Sequence, residues 1–123
     1  MTSTPASAIT LDEVVALSKS GVSEPVILAL IDRMGRMYGF ELLESLGDLE
    51  LPLKEGTLYP LLNRMTEDGL LQAKWETENI KGHPRKFYSL TKKGNASLDD
   101  MKSEFDRMIK ILKHVQSYKK GNA

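Results

Sequence analysis

The hydrophobic period of the chain changes at Gly69, and this change constrains the fold more than any other feature of the sequence. Before Gly69, apolar residues recur at the 3.6-residue spacing of one helix face: Leu58, Leu61, Leu62 and Met65. After it, every second residue falls on one face of a half-buried strand: Leu71, Ala73, Trp75 and Thr77. The sequence therefore predicts an amphipathic helix that is followed at once by a strand.

Pro60 lies inside this predicted helix, although a proline removes one backbone donor and its ring collides with the carbonyl four residues earlier, that of Gly56. The cost is small near a helix start, where few intrahelical hydrogen bonds exist. We therefore expect the helix to begin around Lys54 or Glu55. At helical spacing Pro60 falls on the side opposite the leucines, so we expect it to point away from the core.

Capping patterns divide the first fifty residues into three helices. Thr10 and Glu13 form a capping box, which predicts a short N-terminal helix that ends at Gly21. Ser23 can cap a second helix, expected over residues 24–37. The tripeptide YGF at 38–40 breaks that helix, and the segment FELLESL predicts a third short helix that Gly47 stops.

A turn-rich loop, NIKGHPR, separates the first strand from a second one, KFYSL. We expect the two strands to form an antiparallel hairpin with a basic tip. Trp75 is interpreted as a core residue at the junction of helix and hairpin rather than as a platform for a ligand. Thr91 caps a long final helix that is expected to reach about Tyr118.

Composition and charge limit the classes of function. A chain of 123 residues can bury the core of one compact domain, and the absence of cysteine excludes disulfides and thiolate zinc sites. The start does not resemble a secretory signal and no apolar run could span a bilayer, so we expect a cytoplasmic protein without a membrane partner. The formal net charge is zero, yet residues 81–93 contain only basic charges: Lys81, Arg85, Lys86, Lys92 and Lys93.

Three short helices, a two-stranded hairpin and a basic hairpin tip describe a winged helix-turn-helix. In such a unit the third helix enters the DNA major groove, and the hairpin, called the wing, reaches along the backbone. The predicted fold class is α+β, mainly helical. The predicted division is an N-terminal extension and helix at 1–22, the winged DNA-binding domain at 23–90, and a C-terminal dimerisation helix and tail at 91–123.

Four stretches make a more specific resemblance: YGFELLESL, LKEGTLYPLLNRMTEDGLL, GHPRKFYSLTKKG and the leucine-rich sequence after it. Over residues 24–115 the chain resembles the PadR family of bacterial transcriptional regulators, in its short form with a single C-terminal helix. The resemblance implies a dimeric DNA-binding regulator, expected to be a repressor on an inverted-repeat operator. Some members of the family bind aromatic ligands in the dimer interface, so the resemblance is also compatible with a small aromatic effector.

The final helix carries a heptad seam whose members are separated by three and four residues in turn: Leu98, Met101, Phe105, Met108, Leu112 and Val115. Such a seam can pack on the core of its own domain or pair with a second copy of the chain. We favour pairing, with the N-terminal helix (Leu11, Val14, Val15 and Leu17) against the partner's final helix. Phe105 and Met108 are expected to pack in this interface, and they could also line a cleft for the effector.

The surface expected to meet double-stranded DNA combines the exposed side of the third helix with the wing. Asn63, Arg64 and Thr57 would meet bases or nearby phosphates, while tyrosine hydroxyls would donate to phosphates. The wing residues would hold the DNA backbone. The predicted DNA-binding set is Tyr38, Lys54, Thr57, Tyr59, Asn63, Arg64, Lys81, His83, Arg85 and Lys86.

Nothing in the sequence predicts an enzyme, a metal site or a cofactor. The two histidines, His83 and His114, lie on different elements without a nearby pair of carboxylates, and there is no nucleophile elbow or glycine-rich phosphate loop. The alternative to DNA binding is a winged-helix module that binds another protein and no DNA. Its best support is the net charge of zero.

Overall fold

The computed structural model describes residues 21–77 and 83–120 of the chain. Their elements follow in the order α1 (Ser23–Met34), β1 (Met37–Tyr38), α2 (Gly39–Asp48), α3 (Glu55–Glu67), β2 (Leu71–Glu76), β3 (Arg85–Leu90) and α4 (Lys92–Ser117). The helix predicted before Gly21, and Lys81 in the wing, lie outside the described residues. The helices, the small antiparallel sheet and the long final helix confirm the predicted winged-helix, α+β fold.

Helix α1 ends earlier than predicted. The predicted helix extends to residue 37, but the helix stops at Met34 because Gly35 adopts a φ of 86° and donates its N–H to the Ile31 carbonyl at 2.8 Å. Glycine adopts this left-handed conformation without steric cost, which makes it a strong helix terminator. The prediction of a helix through residue 37 is therefore wrong, and Met37 enters a strand.

Strand β1 is the element that the sequence does not predict. It pairs antiparallel with β3, Met37 opposite Tyr88 and Tyr38 opposite Phe87. Within the described residues the sheet has three strands in the order β1-β3-β2 rather than the two expected. Two residues are too few to show an alternating pattern, so the sequence pattern cannot predict β1. Its effect is to join the start of α2 to the wing.

Helix α3 follows its prediction closely. It begins at Glu55, where the N–H of Leu58 donates to the Lys54 carbonyl at 2.9 Å, and Pro60 is exposed as expected. At its end Gly69 adopts a φ of 81° and the N–H of Leu70 donates to the Met65 carbonyl at 2.9 Å. This is a Schellman motif, and it confirms Gly69 as the residue that separates helix from strand.

One cluster of apolar side chains holds the described elements together. It takes residues from every helix and strand: Ile27, Leu28, Ile31, Met37, Leu42, Leu46, Leu58, Leu62, Met65, Leu70, Leu71, Tyr88 and Leu98. The predicted face of α3 contributes Leu58, Leu62 and Met65, all fully buried. Burying such a side chain is worth about 1.5–3 kcal/mol, so this face fixes which side of α3 remains exposed.

The expected alternation of β2 fails at its outer end. Leu71 is buried and Ala73 is partly buried, but Trp75 is 60% exposed. The interpretation of Trp75 as a core residue is therefore wrong. The register explains the failure, because Leu71 pairs with Leu90 beside the core whereas Trp75 pairs with Lys86 towards the wing tip. The outer end of the hairpin extends beyond the helices that cover its base.

Helix α4 is fixed at its start by a cap and by a close contact. The N–H of Gly94 donates to Thr91 Oγ1 at 2.9 Å, as the sequence predicts for a Thr91 cap. Gly94 itself is buried against the Leu70 backbone, and a Cβ added at this position would overlap the Leu70 carbonyl. The base of the hairpin therefore meets α4 at a site that only glycine fits.

The heptad seam of α4 is divided between the core and solvent. Leu98 is buried and Met101 packs on the core cluster, whereas Leu112 is 56% and Val115 61% exposed. Phe105 and Met108 lie between these extremes. In residues 21–77 and 83–120, none of the helices is both long and apolar enough to cross a bilayer.

Candidate nucleic-acid interface

The exposed side of α3 presents polar and aromatic groups to solvent. Thr57, Tyr59, Pro60 and Asn63 are all exposed, opposite the buried leucine face. Hydroxyl and amide groups on such a helix can hydrogen-bond to base edges and phosphates. Lys54, which precedes the helix in an extended conformation, is exposed at the same end.

Tyr59 connects α3 to the start of α2. Its ring and hydroxyl occupy the space where a side chain at position 39 would lie, so Gly39 is needed for this packing. The first turn of α2 is also fixed by Glu41, whose Oε1 accepts the Tyr38 N–H at 3.1 Å. The two tyrosines are thus held at the junction of β1, α2 and α3.

The wing carries one of its cations directly over an aromatic ring. The Arg85 guanidinium lies 4.4 Å from the centroid of the Tyr38 ring, which meets Phe87 edge-on at 5.4 Å. The Arg36 guanidinium lies over the Phe87 ring, 3.9 Å from its centroid. Its Nη1 is 3.3 Å from Glu76 Oε2. Cation–π contacts of this kind hold both guanidinium groups in place.

Lys86 lies near two further rings, with its ammonium 5.9 Å from the centroid of Trp75 and 5.8 Å from that of Tyr88. Burial raises the pKa of the Tyr88 phenol, and the neighbouring Tyr59 raises it further. Tyr88 therefore keeps its proton at neutral pH and places no negative charge beside Lys86.

A cleft of about 430 Å³ opens between α3 and the wing. We call it the aromatic cleft and define it by the residues that line it: Tyr38, Gly39, Phe40, Tyr59, Asn63, Trp75, Pro84, Arg85, Lys86 and Tyr88. None of these described lining residues is acidic. Side chains from α3 and from the wing therefore face one shared, positively charged concavity.

Arg64 is placed differently from the other predicted residues. Its Nη2 lies 3.0 Å from Glu24 Oε2, so the guanidinium bridges α3 to the start of α1. Arg64 remains 55% exposed, but Glu24 is only 16% exposed and holds the charge on the α1 side. A surface ion pair of this type contributes about 0–1 kcal/mol, which is too little to prevent Arg64 from changing partners.

The structure brings half of the predicted DNA-binding residues together in one cleft. Five of them line the aromatic cleft: Tyr38, Tyr59, Asn63, Arg85 and Lys86. His83 is exposed and lies two residues before strand β3. Sequence reasoning missed Phe40, Trp75 and Tyr88. The only sequence signal for Trp75 and Tyr88 is the period-2 pattern of the strands. That pattern shows which residues share a face of the sheet, but it does not show where along the strand the core ends.

The described residues contain no group of three or more histidine, cysteine, aspartate or glutamate side chains that could hold a metal ion. The exposed part of the α4 seam is another apolar feature of the surface, with Ile109 at 49% exposure beside Leu112 and Val115. Exposed apolar residues in this arrangement are typical of a helix-pairing surface.

Comparisons with known proteins agree on one family. The sequence profile of the Transcriptional regulator PadR-like family matches residues 27–100. Transcriptional regulator Rv3488 of Mycobacterium tuberculosis is 30% identical over 86 residues, which cover 70% of this chain and 78% of that protein.

Solved structures show the same likeness over most of the chain. A PadR-like transcription factor from Bacteroides fragilis is 33% identical, with a TM-score of 0.72, and the match covers 85% of this chain and 99% of that one. A PadR family transcriptional regulator from Eggerthella lenta is 26% identical, with a TM-score of 0.71, over 89% of this chain and 94% of that one.

Proposed function

The chain belongs to the PadR-like family of transcriptional regulators, which are DNA-binding proteins and not enzymes, and from this premise we propose that it is a homodimeric repressor. The proposed target is an inverted-repeat operator in double-stranded DNA. Since that target is chromosomal, the proposal requires the protein to act in the cytoplasm.

The observation that carries the proposal is the shared cleft between α3 and the wing. Tyr59 and Asn63 approach it from α3, while Arg85 and Lys86 approach it from the wing. A helix whose polar side is exposed next to a basic hairpin can enter the major groove while the hairpin follows the adjacent backbone. The local positive charge matters here more than the net charge of zero.

Each predicted residue has a proposed role in this complex. Asn63 and Thr57 read base edges, because they are exposed on the side of α3 opposite the core. Tyr38, Tyr59 and Lys54 contact phosphates around the start of α3. Arg85, Lys86, His83 and Lys81 hold the backbone from the wing. Arg64 exchanges Glu24 for a phosphate when DNA approaches.

The exposed part of the α4 seam supports the proposed dimer. Leu98 and Met101 are used by the chain's own core, so the pairing surface is formed by the residues that follow: Phe105, Met108, Leu112 and Val115. Two copies related by a two-fold axis would present two equivalent α3 helices, and the preferred DNA site would repeat in inverted order. This arrangement assigns 23–90 to DNA binding and 91–123 to dimerisation. A bound dimer would repress by covering promoter DNA.

Selection of bound sequences from a random duplex library tests the proposal. We expect inverted repeats, and we expect affinity for random DNA to fall steeply with salt because phosphate contacts release counterions. Recovery of single half-sites at full affinity would contradict the dimeric complex. Absence of any salt-dependent binding would instead favour a winged-helix module that binds a protein partner.

A further inference from the structure

Arg64 is the only basic residue of α3, and it lies on the exposed side of that helix. It follows Thr57 and Pro60 at spacings of three and four residues. At 100° per residue the three positions fall within about 60° of one another, and all three are exposed. The single cation of α3 therefore faces the same way as the side that is proposed to meet DNA.

The charge of this cation is already engaged within the protein. Arg64 Nη2 lies 3.0 Å from Glu24 Oε2, while the Arg64 side chain remains 55% exposed. The Glu24 side chain is only 16% exposed, so packing at the start of α1 restricts its carboxylate to a position beside α3. A DNA phosphate that reaches Arg64 must compete with a carboxylate in charge-assisted hydrogen-bond contact.

Neither helix depends on this ion pair for its position. The buried face of α3 is anchored by Leu58, Leu62 and Met65, all of them fully buried. Glu24 belongs to the first turn of α1, where the partial positive charge of a helix N-terminus stabilises a carboxylate even without a cation. A surface ion pair contributes little to stability. The contact therefore matters more for the availability of Arg64 than for the fold.

We propose that Glu24 lowers the affinity of the protein for DNA by competing with phosphate for Arg64. DNA binding replaces the Glu24–Arg64 contact by a contact of Arg64 with a phosphate, and the Glu24 carboxylate stays with the N-terminus of α1. Since phosphate contacts carry no sequence information, the competitor limits binding to arbitrary DNA. This inference rests on the proposed function, because it requires α3 to meet DNA.

Removing the competitor should make DNA binding tighter, which damage to the fold would not do. Glu24→Gln keeps the size of the side chain and removes its charge. We expect its affinity for random duplex DNA to rise about threefold, which corresponds to roughly 0.7 kcal/mol. The measurement is a titration at fixed, moderate salt.

The matched control is Asp32→Asn, which removes the same charge from an exposed position on the same helix. Position 32 lies about 12 Å further along the α1 axis than position 24. This separation exceeds the Debye length of about 10 Å at 0.1 M salt, so Asp32 is largely screened from the surroundings of Arg64. Asp32→Asn should leave DNA affinity nearly unchanged.

Variants of Arg64 test whether the effect passes through this residue. Arg64→Gln should weaken binding to random DNA and reduce the salt slope by about one, because one phosphate contact is lost. Glu24→Gln should lose most of its effect when Arg64→Gln is also present. An equal gain of affinity in that double variant would show that Glu24 repels DNA directly, and it would overturn the competition. An unchanged salt slope in Arg64→Gln would overturn it as well.

The titrations distinguish failure of this inference from failure of the proposed function. If the wild-type protein binds random duplex DNA with a steep salt dependence, but Glu24→Gln binds no more tightly than Asp32→Asn, only the inference is overturned. Weaker binding by a folded Glu24→Gln variant would make Glu24 a residue that positions Arg64 for DNA instead of a competitor. If the wild-type protein binds no duplex DNA at any salt concentration, the proposed function fails and the inference fails with it.

Discussion

Glu50 occupies a backbone conformation that suits glycine. Its φ is 60°, its N–H donates to the Gly47 carbonyl at 3.0 Å, and the N–H of Leu51 donates to the Leu46 carbonyl at 2.8 Å. This is the same Schellman motif that Gly69 completes after α3. A side chain in the left-handed region costs about 1–2 kcal/mol, so the turn between α2 and α3 is strained at one residue.

Replacing Glu50 by glycine should therefore stabilise the protein. We expect Glu50→Gly to raise the free energy of unfolding by about 0.5–1 kcal/mol, because the strain relieved is partly offset by the greater freedom of glycine in the unfolded chain. Urea denaturation measures the change. The matched variant Gly69→Ala introduces the same strain and should lower stability. Equal effects of the two variants in one direction would contradict the assignment of strain.

Asn63 and Arg85 separate base reading from backbone contact. Arg85→Ala should weaken binding to operator and random DNA by similar factors, and it should reduce the salt slope by about one. Asn63→Ala should instead reduce discrimination between sequences by roughly 1–3 kcal/mol if its amide makes a bidentate base contact. Titrations of both variants on both DNAs at several salt concentrations measure these effects. A change of sequence preference in Arg85→Ala alone would reverse the two roles.

At the scale of elements, the contact of α4 with the base of the hairpin depends on Gly94. A methyl group at this position would overlap the Leu70 carbonyl, and backbone cannot move aside as a flexible side chain can. Gly94→Ala should lower the free energy of unfolding by roughly 1–3 kcal/mol, although alanine is the better helix former. The control is Gly47→Ala in α2, where an added Cβ meets nothing within 4 Å. That variant should be neutral or stabilising, and a similar loss in both would show that the close contact is unimportant.

The elements that sequence reasoning predicts well are those with local signals. Helix α3 has a periodic apolar face, and Gly69 ends it through its own backbone conformation, so both follow from neighbouring residues. Strand β1 and the exposure of Trp75 depend on pairing across the sheet, Met37 with Tyr88 and Trp75 with Lys86. A pattern of neighbouring residues cannot predict such pairs, because the partners are far apart in the sequence. The candidate site was therefore predicted in its α3 and wing residues but not as a cleft that both elements line.

At the scale of the whole molecule, α4 has two tasks. Its first half is part of the core, since Leu98 is buried and α4 packs on α1. Its second half leaves Leu112 and Val115 more than half exposed. One continuous helix thus connects the DNA-binding unit rigidly to the proposed pairing surface. The spacing of the two α3 helices in a dimer would consequently depend on side chains far from DNA.

Leu112→Glu tests this dependence without changing any residue proposed to touch DNA. In a dimer the new carboxylate would face apolar side chains or its symmetry mate, and burying an unpaired charge is costly. We expect the variant to be monomeric or partly unfolded, and to lose most of its operator affinity. Sedimentation, circular dichroism and a DNA titration measure the three properties.

The control for this variant is Ser103→Glu, which adds the same charge to an exposed position nine residues earlier on α4. At 100° per residue, position 103 lies on the face opposite Leu112, away from the seam. Ser103→Glu should therefore remain dimeric and keep its operator affinity, so that added negative charge alone is excluded as the cause. A folded Leu112→Glu dimer with unaltered operator affinity would show that the exposed seam is not the pairing surface, and that the two α3 helices are held at their operator spacing by another part of the chain.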